Sequence, residues 1–69
     1  MKDSRAWIDE IDFEIARLKL NNRHTYFQFS LGMTQETANE IERYFKDKYT
    51  IEVRRCRQCN NKYDIIIEF

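Results

Sequence analysis

The chain of 69 residues contains no proline, one glycine and two cysteines. Without proline and with Gly32 as the single glycine, it lacks both the composition of a disordered linker and a glycine-rich loop that could bind phosphate. Cys56 and Cys59 stand three positions apart, so they do not make the disulfide framework of a small secreted domain. These absences leave aliphatic and aromatic side chains to form the core of one small domain over residues 1–69.

Long apolar runs are also missing. No segment approaches the roughly 18 consecutive apolar residues that indicate a membrane span. The acidic amino terminus, MKDSRAWIDEIDFE, does not resemble the apolar core of a signal peptide. We therefore expect a cytoplasmic protein that makes no membrane contact and keeps its thiols reduced.

Charge of neither sign is in excess, because 12 Lys and Arg residues balance 12 Asp and Glu residues. A strong nonspecific DNA-binding protein is expected to be basic overall, so the balance disfavours that class. It equally disfavours an acidic mimic of nucleic acid, since the carboxylates are matched by cations.

Two segments have the spacing of amphipathic helices. The first runs from Asp3 to Leu20, with Asp3 or Ser4 suited to cap its amino-terminal end. The second covers residues 35–48 and follows Thr34, another suitable cap. The apolar residues of the first helix that share one face are Trp7, Ile8, Ile11, Ile15 and Leu18.

Three further segments have strand character. Residues 24–31 alternate, which predicts Thr25, Phe27, Phe29 and Leu31 on one face and His24, Tyr26, Gln28 and Ser30 on the other. Residues 50–57 and 62–69 form the other two strands, and the last is the most apolar segment of the chain. Its inward residues are predicted to be Tyr63, Ile65, Ile67 and Phe69, with Ile66 pointing away from the helices.

The order of elements, α-β-α-β-β, predicts a two-layer α+β fold. The most apolar strand should lie in the middle of a three-stranded mixed sheet in the order 1-3-2, antiparallel to both neighbours. Both helices should cover one face of that sheet, with a right-handed connection between the first two strands. The order 1-2-3 is the alternative.

Cys56-Arg57-Gln58-Cys59 has the spacing of a zinc knuckle, but a structural zinc site needs four ligands. The sequence offers no second pair, so the metal alternative is a zinc-bridged dimer in which two copies supply Cys56 and Cys59. A thioredoxin-like role fits less well, because that chemistry places the first cysteine at a helix N-terminus. We favour a simple hairpin turn, since Asn60 and Asn61 tolerate the positive φ of a two-residue type I′ connection.

A basic cluster at the hairpin suggests nucleic-acid binding as an alternative function. It comprises Arg54, Arg55, Arg57 and Lys62. Tyr26, predicted on the open face of the sheet, would stack on a base. Glu52, Asp64 and Glu68 share that face and would repel phosphates, which makes nucleic acid the less favoured partner.

Protein binding is the function that the sequence favours. We predict a non-enzymatic accessory protein, such as a phage or mobile-element regulator or inhibitor of a host protein, that needs no cofactor and has no catalytic residues. Its partner would be another protein, with homodimerisation as a further expectation. The residues predicted to carry the contact are Phe13 and Leu20 on the outer side of the first helix and Tyr26, Arg54 and Ile66 on the open sheet face.

Overall fold

Two helices and three strands build the protein, whose computed structural model describes residues 3–55, 58 and 61–69. In chain order the elements are α1 (Ser4–Leu20), β1 (Thr25–Gly32), α2 (Gln35–Lys46), β2 (Thr50–Arg55) and β3 (Lys62–Glu68). All five elements predicted from the sequence are therefore present, with ends that differ from the predictions by at most two residues.

Each helix begins at a side chain that accepts a hydrogen bond from the first turn. Asp3 caps α1 by accepting from the backbone N–H of Ala6 at 2.8 Å, and Thr34 caps α2 by accepting from Thr37 at 3.2 Å. These caps satisfy N–H groups that have no partner within the helix. Of the two residues that the sequence offered as the α1 cap, Asp3 is the one used. Neither helix combines the length and apolarity that a membrane crossing requires, as judged over the described residues.

The sheet has the order β1-β3-β2, so the predicted order 1-3-2 is confirmed and the alternative 1-2-3 is excluded. Both pairings are antiparallel: Tyr26 lies opposite Ile67 on one side of β3, and Ile51 lies opposite Ile67 on the other. Strands β1 and β2 run parallel to each other but are not neighbours, so the sheet formed by the described residues is antiparallel rather than mixed.

The core lies between the two helices and one face of the sheet. Ile65 and Ile67 of β3 have no exposed surface and pack in the same apolar cluster as Ile11 and Ile15 of α1. The other buried members of that cluster are Tyr26, Leu31, Met33, Ala38, Ile41, Phe45 and Tyr63. Both helices therefore cover one face of the sheet, as predicted, and the other face is left open.

Strand β1 departs from the alternation predicted for it. Gln28 pairs with Ile65 and Leu31 pairs with Tyr63, so β1 advances three residues while β3 advances two. This register shift is a β-bulge, and Ser30 within it has a φ of 58°. The bulge rotates the strand so that Tyr26 and Leu31 both face the helices. The prediction that Thr25, Phe27, Phe29 and Leu31 share one face is therefore wrong.

The connection between β2 and β3 lies largely outside the described residues. Cys56, Arg57, Cys59 and Asn60 all belong to the part of the chain that the structure does not describe. The predicted type I′ turn at Asn60 and Asn61 therefore has no structural test, although Asn61 itself has a φ of 60°. The backbone carbonyl of Asn61 accepts a hydrogen bond at 2.9 Å from Met33, which links this connection to the residue after β1.

The buried position of Ile65 predicts the effect of changing core volume. Ile65→Val should lower the free energy of unfolding by about 0.5–1.5 kcal/mol, because it removes one methyl group from a close-packed core. Phe45→Ala should cost about 3–5 kcal/mol, which is comparable with the total stability of so small a domain, and should unfold it. Urea denaturation followed by circular dichroism measures both effects. Leu20→Ala is the control, with a change within about 0.5 kcal/mol.

The bulge makes a second prediction. Ser30→Val should destabilise the fold by about 1–2 kcal/mol, because a β-branched residue is strained at positive φ. Ser30→Gly should retain the stability of the original chain, since glycine adopts this conformation readily. Thr50→Val, on a strand position without positive φ, is the matched control in the same urea titration. An equal loss for the Thr50 and Ser30 valine variants would contradict a special role for the bulge.

Candidate interaction surface on the open face of the sheet

The open face of the sheet carries an exposed apolar cluster, which we call the aromatic patch and define as Phe27, Phe29 and Ile66. Phe27 lies directly opposite Ile66 in the register of β1 and β3. The rings of Phe27 and Phe29 are stacked, with centroids 6.0 Å apart and planes 21° from parallel. Phe27 is 56% exposed and Phe29 is 58% exposed. These exposed aromatic side chains form a contiguous apolar surface that the other described residues leave uncovered.

The bulge places the two aromatic rings on the face opposite Leu31. In a regular strand Phe27 and Phe29 would share a face with Leu31, which here belongs to the core. Asp64 of β3 fixes the irregular segment, because its Oδ1 accepts a hydrogen bond at 2.9 Å from the backbone N–H of Ser30. The bond gives a partner to the Ser30 N–H, which the bulge removes from the regular β-ladder. Asp64 thereby stabilises the segment of β1 that carries Phe29.

Charged residues surround the aromatic patch in an ordered way. Arg54 and Glu52 on β2 form an ion pair at 3.1 Å on the same face. Lys62 stands at the start of β3, near the hairpin, and Glu68 stands at its other end. The open face therefore has Lys62 and Arg54 towards one end and Glu52 and Glu68 towards the other, with the aromatic patch and Asp64 between them. Such a face has little net charge, but its positive and negative charges are separated along the strand direction.

Of the residues predicted to form the binding surface, Ile66 and Arg54 do lie on the open face. The position predicted for Tyr26 is wrong, because it is only 7% exposed and faces the helices opposite Ile67. The one-residue shift at the bulge is the physical reason, since it brings the even-numbered Tyr26 and the odd-numbered Leu31 to the same side. Phe27 and Phe29 take the exposed place that the sequence assigned to Tyr26.

Phe13 and Leu20 are exposed as predicted, at 69% and 86%, but they belong to a different surface. Both lie on α1, which covers the face of the sheet opposite the aromatic patch. A single flat partner cannot contact Phe13 and Ile66 at the same time. The structure therefore divides the predicted binding residues between two separate surfaces.

The predicted basic cluster is divided as well. Arg54 pairs with Asp64 in the register and points to the open face, whereas Arg55 pairs with Tyr63 and points to the helix side. Lys62 shares the open face with Arg54, and Arg57 lies outside the described residues. Cys56 and Cys59, proposed above as zinc ligands, also lie outside them. Within the described ranges no group of three or more His, Cys, Asp or Glu side chains is placed to hold a metal ion.

A cleft of about 360 Å³ lies on the other side of β1, between that strand and α1. Its lining residues are Trp7, Glu10, Glu14, Tyr26, Gln28 and Leu31. Burial, together with the negative charges of Glu10 and Glu14, raises the pKa of the Tyr26 phenol from 10.0 to about 12. Tyr26 therefore contributes to the core and not to the open face.

Comparison of the chain with protein-family models, with curated proteins and with solved structures gave no match. The functional interpretation therefore depends on the geometry of this molecule alone.

The buried phenol makes a pH-dependent prediction. Because the pKa of Tyr26 is higher in the folded than in the unfolded chain, the folded state holds this proton more tightly. Stability from this group is fully present below about pH 10 and is lost as the pH rises towards about 12. Ultraviolet titration of the tyrosines should show a late component that Tyr26→Phe removes. A late component that persists in this variant would contradict the assignment.

Proposed function

We propose that this protein is a protein-binding domain whose binding surface is the open face of its sheet. The observation that carries the proposal is the stacked pair Phe27 and Phe29, both more than half exposed beside Ile66. A domain that binds another protein through such a surface acts by occupying or masking part of its partner. An accessory or inhibitory role, of the kind that small phage proteins fulfil, is consistent with that mode of action.

The energetics favour contact through the aromatic patch over contact through the charges. Fully burying a phenylalanine side chain contributes about 1.5–3 kcal/mol relative to leaving it exposed. An exposed ion pair such as Arg54–Glu52 contributes about 0–1 kcal/mol. The aromatic rings would therefore supply most of the affinity, while the surrounding charges would set orientation and exclude wrong partners.

Nucleic acid fits this face less well than protein does. Two exposed aromatic rings are the kind of platform on which bases stack. However, Glu52, Asp64 and Glu68 all lie on the same face of the sheet. Among the described residues, three carboxylates against Arg54 and Lys62 give the face a formal charge of −1, so it lacks the excess of positive charge that binds a phosphate backbone.

Site-specific photo-crosslinking tests the proposal. A benzoylphenylalanine placed at position 27 keeps the aromatic character of the surface and reacts with whatever lies against it. In an extract of the native cells we expect protein adducts from position 27. The matched control is the same group at position 13, where a phenylalanine of similar exposure lies on α1.

The yield of protein adduct should be at least several-fold higher from position 27 than from position 13. Phe29→Asp in the same chain should reduce the yield at position 27, because it introduces a charge into the patch. Equal yields from both positions would refute the assignment of the open face. Adducts that disappear on nuclease treatment would show that the occupant is nucleic acid instead.

A further inference from the structure

The charges on the open face have a symmetry that indicates its occupant. Along β3 the outward residues are Lys62, Asp64, Ile66 and Glu68 in succession. Consider a twofold axis that is parallel to the plane of the sheet, perpendicular to its strands and level with Ile65 of β3. Rotation about this axis exchanges the positions of Lys62 and Glu68. The two ends of the same strand would thus present opposite charges to each other across such an axis.

The neighbouring strands obey the same symmetry. On β2, Arg54 pairs with Asp64 and Glu52 pairs with Ile66, so the axis exchanges Arg54 with Glu52. On β1, Phe27 stands opposite Ile66 and Phe29 lies in the bulge opposite Asp64, so the axis exchanges the two aromatic rings. Each charged side chain at the ends of this pattern meets one of opposite sign, and each ring of the stacked pair meets a ring. Asp64, which accepts a hydrogen bond from the Ser30 backbone, meets Ile66.

We infer that the partner of the open face is a second copy of this chain, packed sheet to sheet about this axis. This inference rests on the proposed function, because it names the occupant of the same surface. The dimer has four layers, with two sheets in contact and the helices outside. Sheets packed face to face lie about 10 Å apart with their strands nearly aligned, which allows Phe27 and Phe29 of both copies to interdigitate.

The alternative twofold axis, parallel to the strands, does not work. It would place Glu68 against Glu68 and Lys62 against Lys62 of the second copy, and Phe27 against Glu52. Like charges placed directly opposite each other disfavour association. The charge pattern therefore selects one arrangement of the two sheets, in which the strands of one copy run opposite to those of the other.

The size of the face sets the strength of the contact. Three strands about 4.8 Å apart and about 3.3 Å per residue give the seven residues of β3 a surrounding face of roughly 15 by 23 Å. Covering this face on both copies buries roughly 700 Å² in total by flat area, below the roughly 1,000 Å² of most specific interfaces. We therefore expect a weak, reversible dimer with a Kd below about 1 mM.

Sedimentation equilibrium of the purified chain over a range of concentrations tests the inference. The unchanged chain should show a monomer–dimer equilibrium. Lys62→Glu and Glu68→Lys should each raise the Kd about 10-fold or more, because each change sets two pairs of like charges against each other across the axis. In the double variant, Lys62→Glu with Glu68→Lys, opposite charges again face each other across the axis. Its Kd should return to within about threefold of the original.

Two further variants separate the interface from a loss of folding. Phe27→Asp should abolish the dimer, whereas Phe13→Asp, a similarly exposed residue on α1, should leave it intact. Circular dichroism of every variant at low concentration should match that of the unchanged chain. The single charge variants provide the decisive comparison if Phe27→Asp fails to fold, since Lys62 and Glu68 lie on the exposed face.

A monomer at all concentrations up to about 1 mM would overturn the inference, and so would a double variant that associates no better than the single ones. The proposed function fails by a different result, namely equal crosslinking from positions 27 and 13. A monomeric chain that still crosslinks another protein from position 27 would refute the dimer and retain the protein-binding function.

Discussion

The burial of β3 between two antiparallel neighbours and beneath both helices is the constraint on which this structure depends. Ile65 and Ile67 have no exposed surface, and the backbone on both sides of the strand is paired, with β1 and with β2. A chain of this size buries only about 60% of the surface that its unfolded form exposes, so its margin of stability is small. Because β3 is central, its outward residues necessarily lie in the middle of the open face.

A single irregularity converts that open face into a candidate binding surface. The bulge at Ser30 lets Tyr26 and Leu31 both enter the core, although they are five positions apart and would face opposite sides in a regular strand. As a consequence, Phe27 and Phe29 are exposed on the other side. Asp64 connects the two effects, because it lies on the open face and accepts the hydrogen bond of the displaced Ser30 backbone. The same residue thus supports the fold and belongs to the surface.

The distribution of roles over the molecule follows from this arrangement. The helix side of the sheet forms the core, where burial and nearby carboxylates raise the pKa of Tyr26. The open side combines apolar rings with charges of opposite sign at opposite ends. Aromatic contact would provide affinity there and charge would provide orientation, a division typical of protein interfaces.

The sequence by itself determined the five elements, the 1-3-2 order and the placement of both helices on one face. Helical spacing in α1, the Thr34 cap and the apolar run of β3 are local patterns that can be read from short stretches of the sequence. Exposure of Phe13 and Leu20 was equally predictable, because it depends only on which side of α1 they occupy. The side of the sheet on which Tyr26, Phe27 and Phe29 lie was decided by tertiary structure alone. A strand with aromatic residues on both faces fits a core in either register, and only the packing of β1 against β3 and α1, with a bulge at Ser30, selects between them.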